Sequence, residues 1–252
     1  MALPLEYTPV EEIASVVDEL RSSFIAGRAR NIDFRIQQLK LLAYLLMENK
    51  DAFVEAFQKD LGRNRLNLQM LEFDTTVKEI IEMVQNLKSY VKPSYVSADF
   101  PFNFGKPHNL KSPRGVVLII APWNYPLSLM LKPVAGAIAA GNTIVMKPSE
   151  TAVHINGLLT KLAPRYLDQS CYRIVNGALP QSKELLSHKW DYIFYTGSTS
   201  VGRIVAKAAA ERLTPYTLEL GIFLILSFLS RNSKINLSLY RWPVSCNSRF
   251  DS

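Results

Sequence analysis

Asn124 stands between two prolines in Pro122-Trp123-Asn124-Tyr125-Pro126. The prolines stiffen that turn. A stiffly held Asn amide can donate to a developing oxyanion; it can equally close an Asx turn on local backbone. Lys147-Pro148-Ser149-Glu150 sets a cationic donor three residues before an anionic acceptor. The pair can hold a sugar's hydroxyls from opposite sides, or form a surface ion pair beside a helix start that Ser149 caps. Thr196-Gly197-Ser198-Thr199-Ser200-Val201-Gly202 is built from small residues. They let backbone N–H groups approach a phosphate, and a helix N-terminus favours negative charge; an ordinary strand–helix turn reads the same way. The G-x-G-x-x-G fingerprint of dinucleotide sites occurs nowhere in the chain. Glu219 lies in Leu218-Glu219-Leu220-Gly221. It is either a partly desolvated carboxylate of the kind that serves as a general base, or an exposed acid on an alternating strand.

The elements that must carry these residues are legible in the hydrophobic period. Residues 1–92 read as helices. Thr8-Pro9-Val10-Glu11 has the form of a capping box with Pro at the first helical position. Ile13, Val16, Val17, Leu20 and Phe24 follow at helical spacing, and Gly27 suits a stop. Ile36, Leu39, Ala43, Leu46 and Met47 form a second apolar face. Asp51 is placed to cap a third helix ending at Leu61-Gly62, and Val77, Ile80, Ile81, Val84 and Leu87 mark a fourth. Pro93, Pro101, Pro107 and Pro113 space out residues 93–112 as an extended arm or hairpin.

From residue 113 the period changes. Strands are expected at Gly115–Ala121, Thr143–Lys147, Tyr172–Val175, Tyr192–Tyr195 and Tyr216–Leu220. Helices are expected at Leu127–Ala140, at Ala152–Leu162 with a break at Pro164, at Gln181–Leu186 and at Ser200–Arg212. Strand–helix alternation with short connections predicts the α/β class, a doubly wound parallel sheet over 113–221 preceded by the helical segment. Ligands of such sheets bind beyond the carboxyl ends of the strands, and each polar group above directly follows or ends a strand.

Composition narrows the partners. Lys plus Arg is 29 against 22 Asp plus Glu, a net +7, and residues 222–252 supply +3 of it (Arg231, Lys234, Arg241 and Arg249 against Asp251). The remaining basic residues are mixed with acids and show no aromatic-interleaved run, so no nucleic-acid surface is expected. Cys171 and Cys246 make no disulfide framework and no C-x-x-C pair for zinc, so no metal is expected. Residues 1–10 carry neither a basic nor an apolar leader segment, and no run reaches the ~20 apolar residues of a membrane span. A soluble, cytoplasmic protein is the expectation.

Taken in order, the Asn124 turn, Lys147-x-x-Glu150, Thr-Gly-Ser before a helix, and Leu-Glu-Leu-Gly resemble the aldehyde dehydrogenase superfamily. Phe34-Arg35-Ile36-Gln37-Gln38-Leu39, Gly136-Ala137-Ile138-Ala139-Ala140-Gly141-Asn142 and Leu213-Thr214-Pro215 are similar to its class 3, fatty-aldehyde branch. The resemblance covers residues 10–221. It implies a Rossmann-like cofactor domain that binds NAD or NADP and acts on an aliphatic or aromatic aldehyde. It implies cofactor contacts at Trp123, Lys147, Glu150, Gly197, Ser198 and Gly202. Lys147 and Glu150 would meet the adenosine ribose, and the Gly197–Gly202 turn the pyrophosphate. Asn124 would stabilise the oxyanion and Glu219 would activate the hydrolytic water.

The resemblance stops at Gly221. Residues 222–252 hold seven Ser and no Gly, whereas residues 1–221 hold all eleven Gly. The family's nucleophilic Cys follows a Gly-Gln-Thr-like turn downstream of the general base. Cys246, in Pro243-Val244-Ser245-Cys246-Asn247-Ser248, does not match it. The expectation is a truncated chain without the family's nucleophile, its substrate-facing half or most of the subunit contacts of its dimers. The uncharged run at 222–229 matches an aggregation-prone segment.

Overall fold

Helix α1 (Ile13–Ile25) follows a single 3-10 turn, and α2 (Ile32–Glu48) is capped by Asn31, whose Oδ1 accepts the Asp33 amide at 2.7 Å. α3 (Lys50–Leu61) ends at Gly62. α4 (Arg65–Leu68) runs without a break through a π turn at Gln69–Phe73 into α5 (Asp74–Tyr90). The proline-spaced stretch is a small antiparallel hairpin of β1 (Ser94–Tyr95) and β2 (His108–Asn109). The computed structural model describes residues 5–105 and 107–221, without the side chain of Asn103. The apolar run at 222–229, the rest of the expected tail and Cys246 lie outside the described residues.

Beyond the hairpin, strands and helices alternate. They run β3 (Val116–Ile120), α6 (Ser128–Ala140), β4 (Thr143–Lys147), α7 (Val153–Tyr166), β5 (Tyr172–Ile174), α8 (Leu179–Ser187), β6 (Tyr192–Gly197), α9 (Thr199–Glu211) and β7 (Tyr216–Leu220). All five long-sheet strands are parallel, in the order β5-β4-β3-β6-β7. The sheet is covered on both faces, as its unbroken apolar strands require. Val117 and Ile119 of β3, with Ile144 and Met146 of β4, face a core built from α2, α3, α5, α6 and α7. Val116, Leu118 and Val145 face the other way, onto α1, Leu185, Trp190 and Val205. The two-residue period of a strand thus sorts one apolar run into two cores. Among the described residues no helix is long and apolar enough to cross a membrane.

Several local expectations are corrected. Thr8 closes no capping box: its Oγ1 accepts the Asn176 amide at 3.1 Å, so the hydroxyl is engaged with the loop after β5. Asp51 caps nothing; it lies inside the first turn of α3 and pairs with Arg65 at 2.8 Å. Ser149 does not cap α7, whose N-cap is Ala152. Pro164 does not end α7, which continues to Tyr166. A proline in the last turn removes one N–H bond to the carbonyl four residues back, and Ala163 still accepts the Leu167 amide at 2.8 Å. Met47 and Ile81, read as core, are exposed and line a surface hollow of about 600 Å³ beside Phe73 and Val77.

Candidate active site

The chain winds outward from β3 through β4 to β5, then returns to the other side of β3 for β6 and β7. The crossovers diverge between β3 and β6, and the crevice of an open α/β sheet lies there, at the carboxyl ends. The turn after β3 and the turn after β6 form its two lips.

The first lip is Pro122–Pro126. Trp123 and Asn124 are exposed there, and the Asn124 side chain makes no hydrogen bond to the described residues. The Asx-turn alternative is therefore not realised. The turn is held through its backbone instead. Arg63 donates from Nη2 to the Asn124 carbonyl at 2.6 Å, and its guanidinium lies 4.5 Å from the centre of the Tyr125 ring. Nη1 of the same residue meets Glu72 Oε1 at 2.7 Å. Glu72 Oε2 accepts the Leu127 and Ser128 amides, at 3.0 and 3.3 Å. These are first-turn N–H groups of α6, which have no acceptor within their own helix, and α6 brings no side-chain cap of its own.

Glu72 is fully buried in the π turn. Burial pushes its carboxyl up to about 7, against the pull of the Ser128 and Leu127 amides and of Arg63. The folded chain therefore keeps this proton to a higher pH than the unfolded chain does. The group's contribution to stability is present below its ordinary value of 4.5 and is lost as pH rises through about 7. Melting temperatures of the parent should fall relative to those of Glu72→Gln across that window and level off above it. A difference that stays constant with pH would remove this account.

On the other flank, Lys147 closes β4. Its side chain is 4 % exposed, and Nζ donates to the Pro148 carbonyl at 2.9 Å and to Glu150 Oε2 at 3.3 Å. Glu150 is 44 % exposed. The pair is thus no ordinary surface ion pair: the cation is buried and the acid opens to solvent. Burial holds the Lys147 ammonium below the ordinary lysine range, with Glu150 pulling the other way.

The second lip begins at Gly197, where β6 ends, and Ser198 is the N-cap of α9. Among the described residues, Ser198 Oγ accepts the Val201 amide at 3.4 Å and shares a hydrogen bond with Ser200 Oγ at 3.0 Å. The first-turn N–H groups of Thr199 and Ser200, on exposed residues, have no acceptor within the helix. The two glycines stand in close packing. A Cβ at Gly202 would stand 2.7 Å from Leu220 Cδ2, and one at Gly197 would overlap the Tyr195 phenol. Gly202 therefore brings α9 down onto β7, and Gly197 leaves room for Tyr195, whose hydroxyl donates to the Ser198 carbonyl at 3.1 Å.

Glu219, on β7, pairs in register with Thr196 of β6, at the side of the sheet away from β5. Leu218 and Leu220 pack toward α9, so alternation turns Glu219 to the opposite face. It is exposed. Of the two readings of Glu219, the exposed acid is the one realised; the strand's other face, with Leu218 partly buried and Leu220 exposed, lies toward α9.

Asn124, Lys147, Gly197 and Glu219 thus follow or end β3, β4, β6 and β7 in turn, all at one edge of the sheet. The profile of the aldehyde dehydrogenase family matches residues 5–222. The chain belongs to the aldehyde dehydrogenase family. It is 44% identical over 207 residues to mouse aldehyde dehydrogenase family 3 member B2, covering 82% of this chain and 43% of that protein. With family 3 member A2 of Macaca fascicularis the identity is 42% over 205 residues, 81% of this chain and 42% of the relative. Among solved structures, the substrate-bound state of Staphylococcus aureus AldH superposes with a TM-score of 0.79 at 34% identity, over 83% of this chain and 46% of that one. The Mycobacterium tuberculosis aldehyde dehydrogenase complexed with NAD+ gives 0.74 at 25% identity, over 85% and 44%. The chain spans less than half the length of the relatives it matches.

Sequence reasoning missed Arg63 and Glu72. The signal for Glu72 was an acid in an apolar register: Leu68, Glu72, Thr76 and Ile80 are all buried at four-residue spacing. Arg63 carries no comparable mark, since it lies 61 residues from the carbonyl it holds.

Proposed function

We propose that this family member binds NAD or NADP at the carboxyl edge of its sheet and serves the oxidation of an aliphatic aldehyde, fatty aldehydes included, to a carboxylate. The observation that carries the reading is Lys147, a buried ammonium held by a solvent-facing carboxylate at the end of β4. An isolated hydroxyl-rich ligand finds there a donor and an acceptor already oriented, so the residues present fit a nucleotide ribose. Across the crevice, the N–H groups of Thr199 and Ser200 and the positive end of α9 fit a pyrophosphate. When bound, the dinucleotide supplies a hydride acceptor.

The chain's own residues do the rest. Asn124 offers an exposed amide, unengaged among the described residues, on a clamped turn, a donor suited to a carbonyl oxygen on which negative charge grows. Glu219 offers an exposed carboxylate able to take a proton from water. Neither supplies a nucleophile. Cys171 is fully buried at the amino end of β5, the edge of the sheet opposite the crevice, and burial pushes its thiol up. A thiolate is the attacking species, so Cys171 is unsuited to that role.

That placement favours a second reading for the 252-residue chain taken by itself: a nucleotide-binding part without turnover. The chain incubated with NAD and hexanal is expected to form no aldehyde-dependent NADH, followed by absorbance. A rate proportional to protein concentration that vanishes in Cys246→Ser would overturn the second reading and make Cys246 the nucleophile.

A further inference from the structure

We infer that Glu72 and Arg63 are positioning residues for Asn124, a two-residue clamp that fixes the backbone of the turn and leaves the Asn124 amide free. The inference rests on the proposed role of Asn124. Its physical basis is the way one carboxylate and one guanidinium divide their bonds. Glu72 Oε2 takes the amides of Leu127 and Ser128, while Oε1 takes Arg63 Nη1. Arg63 Nη2 takes the carbonyl of Asn124, and the guanidinium plane covers Tyr125. The segment from Asn124 to Ser128 is thereby gripped at a carbonyl, a ring and two amides.

A simple cap for α6 needs none of the Arg63 contacts. The Asn124 carbonyl lies before the helix, and bonding it adds nothing to the α6 ladder. Pro126 and Leu127, standing where a local cap would, have no side-chain acceptor. The acceptor comes instead from a fully buried acid carried on a π turn, a feature frequent at functional sites. Removing one partner of such a pair strands the other charge in a buried setting. The fork geometry matters too: Arg63 reaches the carboxylate and the carbonyl from two separate nitrogens while lying over the Tyr125 ring, and lysine at 63 keeps the charge but has one nitrogen and no planar fork to do so.

The test compares the full chain with Arg63→Lys, Glu72→Gln and Glu72→Leu, all in a Trp242→Phe background. Trp190 is 2 % exposed and Trp123 is 52 % exposed, so acrylamide quenching then reports on Trp123. Amide exchange of residues 122–128 is read against β3 and β4. In Arg63→Lys, exchange at 122–128 should rise about threefold or more with quenching of Trp123, while β3, β4 and the melting temperature stay near the parent. Glu72→Gln, which keeps one acceptor oxygen, should lie between Arg63→Lys and the parent, and Glu72→Leu should exceed both. Unchanged exchange and quenching in Arg63→Lys and Glu72→Gln would overturn the clamp, as would an equal rise in β3 and β4, the mark of general loosening. These readouts need no ligand. A chain that fails to bind NAD would therefore remove the proposed function and leave the clamp to be decided on its own evidence.

Discussion

Lys147→Met is expected to weaken NAD affinity at least tenfold, about 1.4 kcal/mol, while the chain melts at the parent temperature or above it. The two effects have one cause. The Lys147 ammonium is almost wholly out of water, and its partner Glu150 is 44 % exposed. Attraction to a partner half in solvent is screened, while the cost of burying the cation is not. Methionine fills a similar volume without that cost. What it loses is the donor that a ribose hydroxyl would meet. The pH dependence has a definite sign. Burial lowers the folded-state pKa below the ordinary 10.5, so the unfolded chain binds the proton more readily. The parent's deficit relative to Lys147→Met therefore narrows as pH rises toward that value. Calorimetric titration and melting curves of both proteins decide the matter. Equal affinity in the two would remove Lys147 from the site. No binding to the parent would remove the nucleotide reading itself.

Asp60→Ala should cost about 2 kcal/mol, the upper end for a lost helix cap, and lower the melting temperature by about 4–8 °C. Asp60 sits near the end of α3 with a side chain only 4 % exposed. Its two oxygens accept the amides of His154 and Ile155, at 3.1 and 2.8 Å, and Oδ1 lies 2.6 Å from His154 Nδ1. It is the cap of α7, delivered from another helix. Truncation leaves two first-turn amides without an acceptor under a layer that admits little water. Ser149→Ala is the matched control and should change stability by no more than about 0.5 kcal/mol. Ser149 Oγ touches only Thr151 in the described residues, at 3.4 Å. The reverse ranking in thermal melts would return the cap to Ser149.

Asp60 and Glu72 mark where sequence reading ends. The alternation of β-branched runs with helical stripes was enough to establish five parallel strands and the helices between them. Strand pairing in an α/β sheet buries both faces, and burial writes itself into residue type. The position of the candidate site followed from the same logic. Once strands run parallel, their carboxyl ends share an edge, and the residues after them are brought together whatever their separation in the chain. Asn124, Lys147, Glu150, Gly197, Ser198 and Glu219 were all readable for that reason.

Caps, burial and charge state were not. Thr8, Asp51 and Ser149 have the right chemistry next to a helix start, and none of them caps one. α6 and α7 take their acceptors from Glu72 and Asp60, on the layer of helices that packs against them. An unpaired N–H at a helix end is satisfied by whichever oxygen lies within about 3 Å, and proximity in space is settled only when the layers meet. The folded chain also buries the Lys147 ammonium and leaves Glu219 in solvent, although both stand at strand ends beside apolar neighbours. Residue type and period determined which strands form and which edge they share. The packing of the N-terminal helices on the sheet decided how the residues at that edge are held, because desolvation and hydrogen-bond partners are properties of the assembled layers and not of any one segment.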